Sequence, residues 1–532
     1  MLTTSHLPAR WTDPVQPTTV GGVLRAAAEG DPEAPAVVES RAGLPGPRRW
    51  TYRELLDEAE TTARALLARF SPGDHIAVWA PNSVEWLFLE FGIALAGMVL
   101  VTVNPAFRTA EVRHVLSASR ATGLFLVSDY RGNPMRRVAE ELRGELPELR
   151  EVIDLADWAS FAASTGEVGA VLPEVAPEAV AQIQFTSGTT GEPKGTMLTH
   201  RGITNDARLA FGRLGFPAGS RALHALPFFH TGGAIMLVLG TVQNRWVHVL
   251  IDAFDPGRML ELVESERVDV LFGVPTMFAA LLEHPDFAAR DHSSLQAVFS
   301  GGASITPALV RRLERAFGVE YVAMYGQTEA SGVVTATALG DSDEVKATTV
   351  GRPLPNTEVR IVPPASGPGA EPVRIGEVGE LLVRGYGVMV GYFELGSETR
   401  DAIEPDGWLH TGDLCTMDDA GNLRVVGRTK EMIIRGGENI FPPEIEKVLA
   451  EHPSIAEAAV VGVPDEHWGE QVAAFVRVTP GAELDPAGLT EFTKERLAGA
   501  KCPRFWEVVD AFPLTASGKV QKFALREKWA TR

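Results

Sequence analysis

The chain is poor in cysteine, in basic charge and in long apolar runs, and each shortage removes a class of function. Only Cys415 and Cys502 occur among 532 residues. That is too few for a disulfide framework, and neither sits in a metal-ligand cluster. A reducing compartment, the cytoplasm, is the expectation. Lysine and arginine number 49 against 69 aspartates and glutamates, a formal net charge of −20. Nucleic acid and anionic membranes both select a basic face, so neither is expected as a partner. Small polyanions stay open, because local lysines can still line a cleft. The most apolar run, Phe91 to Val101, is too short to span a bilayer and is broken by Gly92 and Gly97. It reads as buried helix running into strand, and no integral membrane segment is expected. Met1 to Pro17 shows no apolar stretch behind basic residues, so no signal peptide is expected.

Hydrophobic residues make up 45% of the chain and charged residues 22%, an ordinary globular balance. The length predicts roughly three to four folding units. Leu55, Ala59, Ala63 and Leu66 mark one helical face, and 76–79, 99–103 and 124–127 read as short buried strands. This alternation predicts an α/β fold with layered sheets, with peripheral helices and loops over 128–180. Short strands between Gly and Pro over 351–427 predict a β-rich lobe. After Lys430 the pattern changes to a helix from Pro442–Pro443 through Leu449, strands at 458–463 and 472–478, a helix over about 486–497 and a strand at 505–509. The expected organisation is a large multi-lobed N-terminal domain, 1–429, and a small mobile α+β domain, 430–532.

The chain is organised around Phe185-Thr186-Ser187-Gly188-Thr189-Thr190-Gly191-Glu192-Pro193-Lys194-Gly195. Upstream, Ala181, Ile183 and Phe185 alternate with Gln182 and Gln184, as in a strand. Downstream, Ile203, Ala207, Phe211 and Leu214 recur at helical spacing. The run between them reads as a strand-to-helix loop built to hold an anion. Glycines let backbone N–H groups converge, hydroxyls add donors and the lysine adds charge. It is no Walker A loop, because Gly-x-x-x-x-Gly-Lys-Ser/Thr does not fit it. Glycine-bearing turns also follow apolar strands at 226–233, 298–303 and 324–329, as a crevice at a sheet edge requires.

The 185–195 run resembles the phosphate-binding loop of the adenylate-forming superfamily, in its acyl-CoA synthetase and fatty-acid–CoA ligase branch. Further motifs in family order support the resemblance: Tyr325-Gly326-Gln327-Thr328-Glu329, Gly412-Asp413 with Gly427-Arg428, and Ser517-Gly518-Lys519. It implies that Thr186, Ser187, Gly188, Thr189, Thr190, Gly191 and Lys194 hold phosphates. Gly302, Ala303, Tyr325 and Gly326 would bind the nucleotide, with Tyr325 stacked on the adenine. Thr328 would touch the α-phosphate, and Glu329 would hold Mg²⁺, a hard cation that suits a carboxylate. Asp413 and Arg428 would hold the ribose. Lys519 would bridge the substrate carboxylate and α-phosphate, supplying positive charge where negative charge develops. His230 would seat the acyl group. Lys430 would be a hinge between the two domains. Gly436, Gly437 and Asn439 would line the CoA tunnel; as residues alone, the two glycines also fit a hairpin turn.

The implied reaction is an ATP-dependent acid–CoA ligation: a carboxylic acid, medium- or long-chain fatty or aryl, becomes acyl-AMP and then acyl-CoA. ATP, Mg²⁺ and CoA are the expected cofactors, and a homodimer is compatible. Other acceptors (an amine or a carrier-protein thiol), a non-carboxylate oxyanion, an oxygenase sharing the first step, and a non-catalytic binding protein remain alternatives.

Overall fold

The helix Tyr52–Leu67 starts where Thr51 accepts from the Glu54 N–H while the Glu54 carboxylate accepts from the Thr51 N–H. Its buried face carries Leu55, Ala59, Ala63 and Leu66, as their spacing predicts. The helix Pro307–Phe317 is set in the same local way: Thr306 caps it, Pro307 opens it, and Gly318 closes it with a left-handed φ of 70°. Such capped helices separate the strands of two sheets in this computed structural model. It describes every residue except Met1, Ala42, Pro45, 166–170, 187–191, Ser304, Pro480, 483–484, 514–519 and 531–532, and the sheets are those of the described residues.

One sheet has seven strands, in the order Gly391–Tyr392, Lys194–Thr199, Val180–Thr186, Val99–Val103, His75–Trp79, Gly123–Leu126 and Glu151–Asp154. The other has nine, with a parallel centre formed by Glu320–Tyr325, Ala297–Gly301, Val270–Gly273, Arg221–His224 and Val247–Ile251. Between the two sheets a single core joins side chains from both, such as Val78 and Leu100 with Val37 and Leu250, to the helices Val20–Gly30, Tyr52–Leu67 and Val84–Leu95. A five-stranded antiparallel sheet follows, with four of its strands over 357–428 and the fifth, His6–Leu7, at one edge. The α/β class, the layered sheets and the β-rich lobe are therefore present.

Two expectations need correction, and two further features were not anticipated. The 187–193 loop does not join strand to helix. It links Val180–Thr186 to the antiparallel strand Lys194–Thr199, with Phe185 opposite Gly195 and Thr186 opposite Lys194, before the helix His200–Gly212. The strand expected from the alternation of Ala181, Ile183 and Phe185 is present, and Gln182 and Gln184 are buried as well, since helices cover both sides of it. The 128–180 segment is not wholly peripheral, since Glu151–Asp154 forms a sheet edge. His6–Leu7 pairs with Val359 and Arg360, adding a strand that no local pattern announces.

After Lys430 the hairpin Ile433–Arg435/Glu438–Ile440, the long pair Ile455–Asp465/Gly469–Val478 and the strand Phe505–Val508 make a separate sheet. The helices Pro442–Leu449, Pro486–Lys494 and Lys522–Ala530 flank it, and its apolar residues form clusters of their own. The last helix was not foreseen from the sequence.

Candidate active site

Three strands of the nine-stranded sheet, Arg221–His224, Ala297–Gly301 and Glu320–Tyr325, run parallel and end at one edge. Each continues into one of the glycine-bearing turns, and carboxyl-terminal edges are where open α/β sheets bind ligands. A cleft of about 1510 Å³ lies there. It gathers Thr186, Lys194, His230, Gly302, Tyr325, Gly326, Thr328, Glu329, Arg428 and Lys430 from segments far apart in the chain.

One end of the cleft is a polar corner. The Tyr325 hydroxyl donates to Asp413 Oδ2 at 2.6 Å, and Arg428 Nε lies 3.1 Å from Asp413 Oδ1. Asp413 and Arg428 face each other across two paired antiparallel strands, so backbone register brings them together. Burial, then the neighbouring Asp413 charge, pushes the Tyr325 phenol well above its ordinary pKa and keeps it a neutral donor. The Asp413 carboxylate raises the pKa of Arg428, which stays a cation. Nearby, Glu329 Oε1 accepts from the Tyr392 hydroxyl at 3.0 Å and from Thr186 Oγ1 at 3.4 Å. Lys194 Nζ stands 5.1 Å from the centre of the Tyr392 ring. A carboxylate ringed by hydroxyls fits a hard cation such as magnesium. Among the described residues no group of three or more His, Cys, Asp and Glu is placed to hold a metal. A cation held at Glu329 would need its other ligands from outside these side chains, as phosphates and water would supply.

The other end is apolar. From Leu226 to Met324, the described lining residues include no Asp, Glu, Lys or Arg. Met236, Phe272, Met277, Phe299 and Met324 dominate the wall, and Phe211, Phe272 and Phe299 stack at centroid distances of 5.2 and 4.9 Å. His230 lines the cleft as an exposed residue, its Nδ1 accepting from the Gly232 N–H at 3.1 Å. The turn before it is braced from below. Asn82 accepts from the Phe228 N–H and donates to the Leu226 carbonyl, while His224 Nδ1 accepts from the Leu226 N–H. His224 then bonds to His248 at 2.8 Å, and burial lowers the pKa of His248 to about 3, so this pair is neutral.

Several expected residues stand elsewhere or owe their identity to the backbone. Gly326 is required by close approach, since a Cβ there would lie 1.9 Å from the Gly332 carbonyl oxygen. Ala303 follows Gly302 but does not line the cleft, and Asp413 reaches it only through Tyr325 and Arg428. Gly436 and Gly437, with φ of 59° and 86°, form the two-residue turn of a hairpin, and neither they nor Asn439 line the cleft. Hairpin geometry accounts for both glycines without a ligand. Ser187, Gly188, Thr189, Thr190, Gly191 and Lys519 lie outside the described residues. Two further residues that line the cleft were given no role by the sequence reading. Tyr392 follows a glycine with no motif around it, and His410 reaches the cleft between Glu380 and Glu404, 3.2 Å from each. Only the fold reveals either.

A family profile described as AMP-binding enzyme matches residues 24–393, and one described as AMP-binding enzyme C-terminal domain matches residues 444–519. The chain is 35% identical to the medium-chain acyl-CoA ligase ACSF2, mitochondrial, of Danio rerio, over 99% of this chain and 91% of that protein. It is 37% identical to a methyl-dioxo-octahydro-indenyl-propanoyl:CoA ligase of Rhodococcus jostii, over 96% of this chain and 99% of that protein. Among solved structures, ATP-bound MatB from Rhodopseudomonas palustris superposes with a TM-score of 0.86 at 27% identity, covering 96% and 99% of the two chains. The o-succinylbenzoate coenzyme A synthetase MenE of Bacillus subtilis, bound to ATP and magnesium, superposes with a TM-score of 0.83 at 29% identity, covering 96% and 99%.

Proposed function

The chain belongs to the family of AMP-binding enzymes, as an AMP-forming acyl-CoA ligase, and from that premise we propose which residues carry each step and which acids it takes. In the first step a carboxylate oxygen attacks the α-phosphorus of ATP, and the bond to the bridging oxygen breaks to release pyrophosphate. In the second, the sulfur of CoA attacks the acyl carbon and AMP leaves with the bonding electron pair.

The observation that carries the residue assignment is the meeting of a charged, hydroxyl-rich corner and an uncharged apolar compartment in one cleft. Asp413 and Arg428 hold the ribose, and Tyr325 stacks on the adenine while its hydroxyl orients Asp413. Thr186, Lys194 and Thr328 hold phosphates, together with Ser187, Gly188, Thr189, Thr190 and Gly191. Glu329 holds magnesium, which when bound neutralises phosphate charge. Gly302, Ala303 and Gly326 border the nucleotide. Lys519 supplies positive charge as it builds on the phosphoryl oxygens. His230 seats the carboxyl end of the acid, whose tail enters the compartment lined by Met236, Met277 and Met324. A wall without charge suits a medium- or long-chain fatty acid or an aryl acid.

The small domain, taken from residue 430, turns about Lys430 so that Lys519 serves the first step. The Gly436–Gly437 hairpin and Asn439 serve the second. The two unpaired thiols, Cys415 and Cys502, suit a reducing cytoplasm. No helix among the described residues is long and apolar enough to cross a membrane. Incubation with ATP, magnesium, CoA and a panel of acids, followed by mass spectrometry, tests the reading. AMP, pyrophosphate and one or more acyl-CoA products are expected, strongest for acids with uncharged tails. Release of ADP and orthophosphate, or preference for dicarboxylic acids, overturns it.

A further inference from the structure

The helix Lys522–Ala530 starts three positions beyond Lys519, and its first turn is tied to the hinge segment. Lys522 Nζ lies 2.8 Å from Glu446 Oε1 and 3.1 Å from Glu431 Oε2. Its side chain is only 15% exposed. Burial alone would lower the pKa of this ammonium, but the two carboxylates outweigh it and raise the value. Glu446 belongs to the helix Pro442–Leu449 and also accepts from the Val460 N–H at 2.8 Å, so it is itself held. Glu431 directly follows Lys430 and lines the cleft.

One turn further on, Arg526 donates to the Lys430 carbonyl at 3.4 Å and faces Glu470 at 3.8 Å. Glu470 in turn accepts from the Ile434 N–H at 2.7 Å. Residues 430, 431 and 434 are thus all connected to the last helix. Just before that helix, the Gln521 N–H donates to the Pro513 carbonyl at 2.8 Å, so the described residues on either flank of 514–519 are bonded to each other.

Lys519 is far from Lys430 along the chain, so a turn at Lys430 places Lys519 accurately only if the intervening body moves as one piece. The hairpin Ile433–Ile440 has no such difficulty, because it follows the hinge within three residues. We infer that Lys522, bound by Glu431 and Glu446, is a positioning residue that joins the hinge to the base of the Lys519 segment, and that adenylation needs this joint while thioester formation does not. The inference rests on the roles proposed above for Lys519 and Lys430. A tie that merely held the last helix in place would be needed equally by both steps.

Lys522→Met tests this in two separate assays: pyrophosphate exchange with an accepted acid, and acyl-CoA formation from prepared acyl-adenylate. Displacing a reacting group by about 1 Å costs on the order of 10²-fold, so the expected loss in adenylation kcat is about 10- to 100-fold. The KM for ATP and the rate of the second step should change by less than about threefold, the signature of a lost transition-state contact. Lys522→Arg should recover most of the loss, and Glu431→Gln should reproduce it. The Lys522→Met/Glu431→Gln double variant should be no worse than either single one, since both break one joint. Equal losses in both steps, or no loss in either, overturn the inference. If Lys522→Met does not fold, Glu431→Gln and Lys522→Arg carry the same comparison. Lys519→Ala is measured alongside. If it keeps adenylation, the proposed role of Lys519 fails and the joint has nothing to position. If it loses adenylation while Lys522→Met and Glu431→Gln do not, only the joint is wrong.

Discussion

The two ends of the cleft are held together by opposite means. In the polar corner each group is fixed by another: Tyr325 and Arg428 grip the two oxygens of Asp413, and Tyr392 and Thr186 grip one oxygen of Glu329. Such contacts are directional, so one changed atom breaks them. In the apolar compartment, stacked rings and thioethers fill space without fixed partners. Methionine adapts its shape at small cost. On the proposed assignment, the corner selects one nucleotide, whereas the compartment tolerates a range of tails.

The largest break comes from a charge that neither end supplies. Lys519→Ala should lower adenylation by about 10²–10³-fold, the usual cost of one stabilising donor, while ATP binding stays near normal. Pyrophosphate exchange and equilibrium nucleotide binding measure the two separately. A variant that exchanges pyrophosphate at the wild-type rate would remove Lys519 from the mechanism.

Next comes the corner itself. Asp413→Ala removes two hydrogen-bonded partners at once and leaves Arg428 facing a neutral gap. Hydrogen bonds to charged groups contribute about 1.5–3 kcal/mol each, so the KM for ATP should rise by about 10- to 100-fold. The acid KM should hold, because the compartment is untouched. A rise in both constants would mean that the two ends are not independent.

That independence also shows what a sequence can reveal. The turns at 226–233, 298–303 and 324–329 were legible because glycine follows an apolar strand in each, a local signal. The run of 185–195 was read as an anion loop between strand and helix, and that setting was wrong. Lys194–Thr199 is short and lacks alternation, so nothing marked it as a strand that doubles back. The burial of Gln182 and Gln184 was not legible, because strand periodicity cannot say whether the second face is also covered. Gln182 bonds to the buried Glu90, and Gln184 to Gln182, so the pair lies inside a polar seam and not in water. Tyr392 and His410 gain their places from pairing between distant strands, which no single stretch records.

In the compartment, effects should be smaller. Met277→Ala enlarges the wall without touching any charged group, and a methylene or two in an apolar pocket changes selectivity by about tenfold. The expected outcome is a shift of up to about that size in the ratio of kcat/KM between shorter and longer acids, with the KM for ATP unchanged. Initial rates over a graded acid series measure it, and an unchanged ratio would move the tail site away from Met277.

The smallest effect belongs to His410, which reaches the cleft between Glu380 and Glu404. Its hydrogen bond to Glu380 raises its pKa above the ordinary 6.5, burial opposes this, and Glu404 adds to it. Because the folded-state value is raised, the protonated ring stabilises the fold fully below about pH 6.5, and this contribution is lost as pH rises through the folded-state value. Arg360 also binds Glu404, at 2.9 Å, so that carboxylate keeps a cation when His410 loses its proton. With the imidazole half-buried and screened by solvent, the difference should be about 1 kcal/mol or less. Denaturant midpoints of the wild type and His410→Gln, at about pH 5.5 and about pH 9 on either side of the titration, should differ more at the lower pH. Equal gaps at both values would show that His410 is held by packing alone and that charge at the edge of the cleft does not stabilise it.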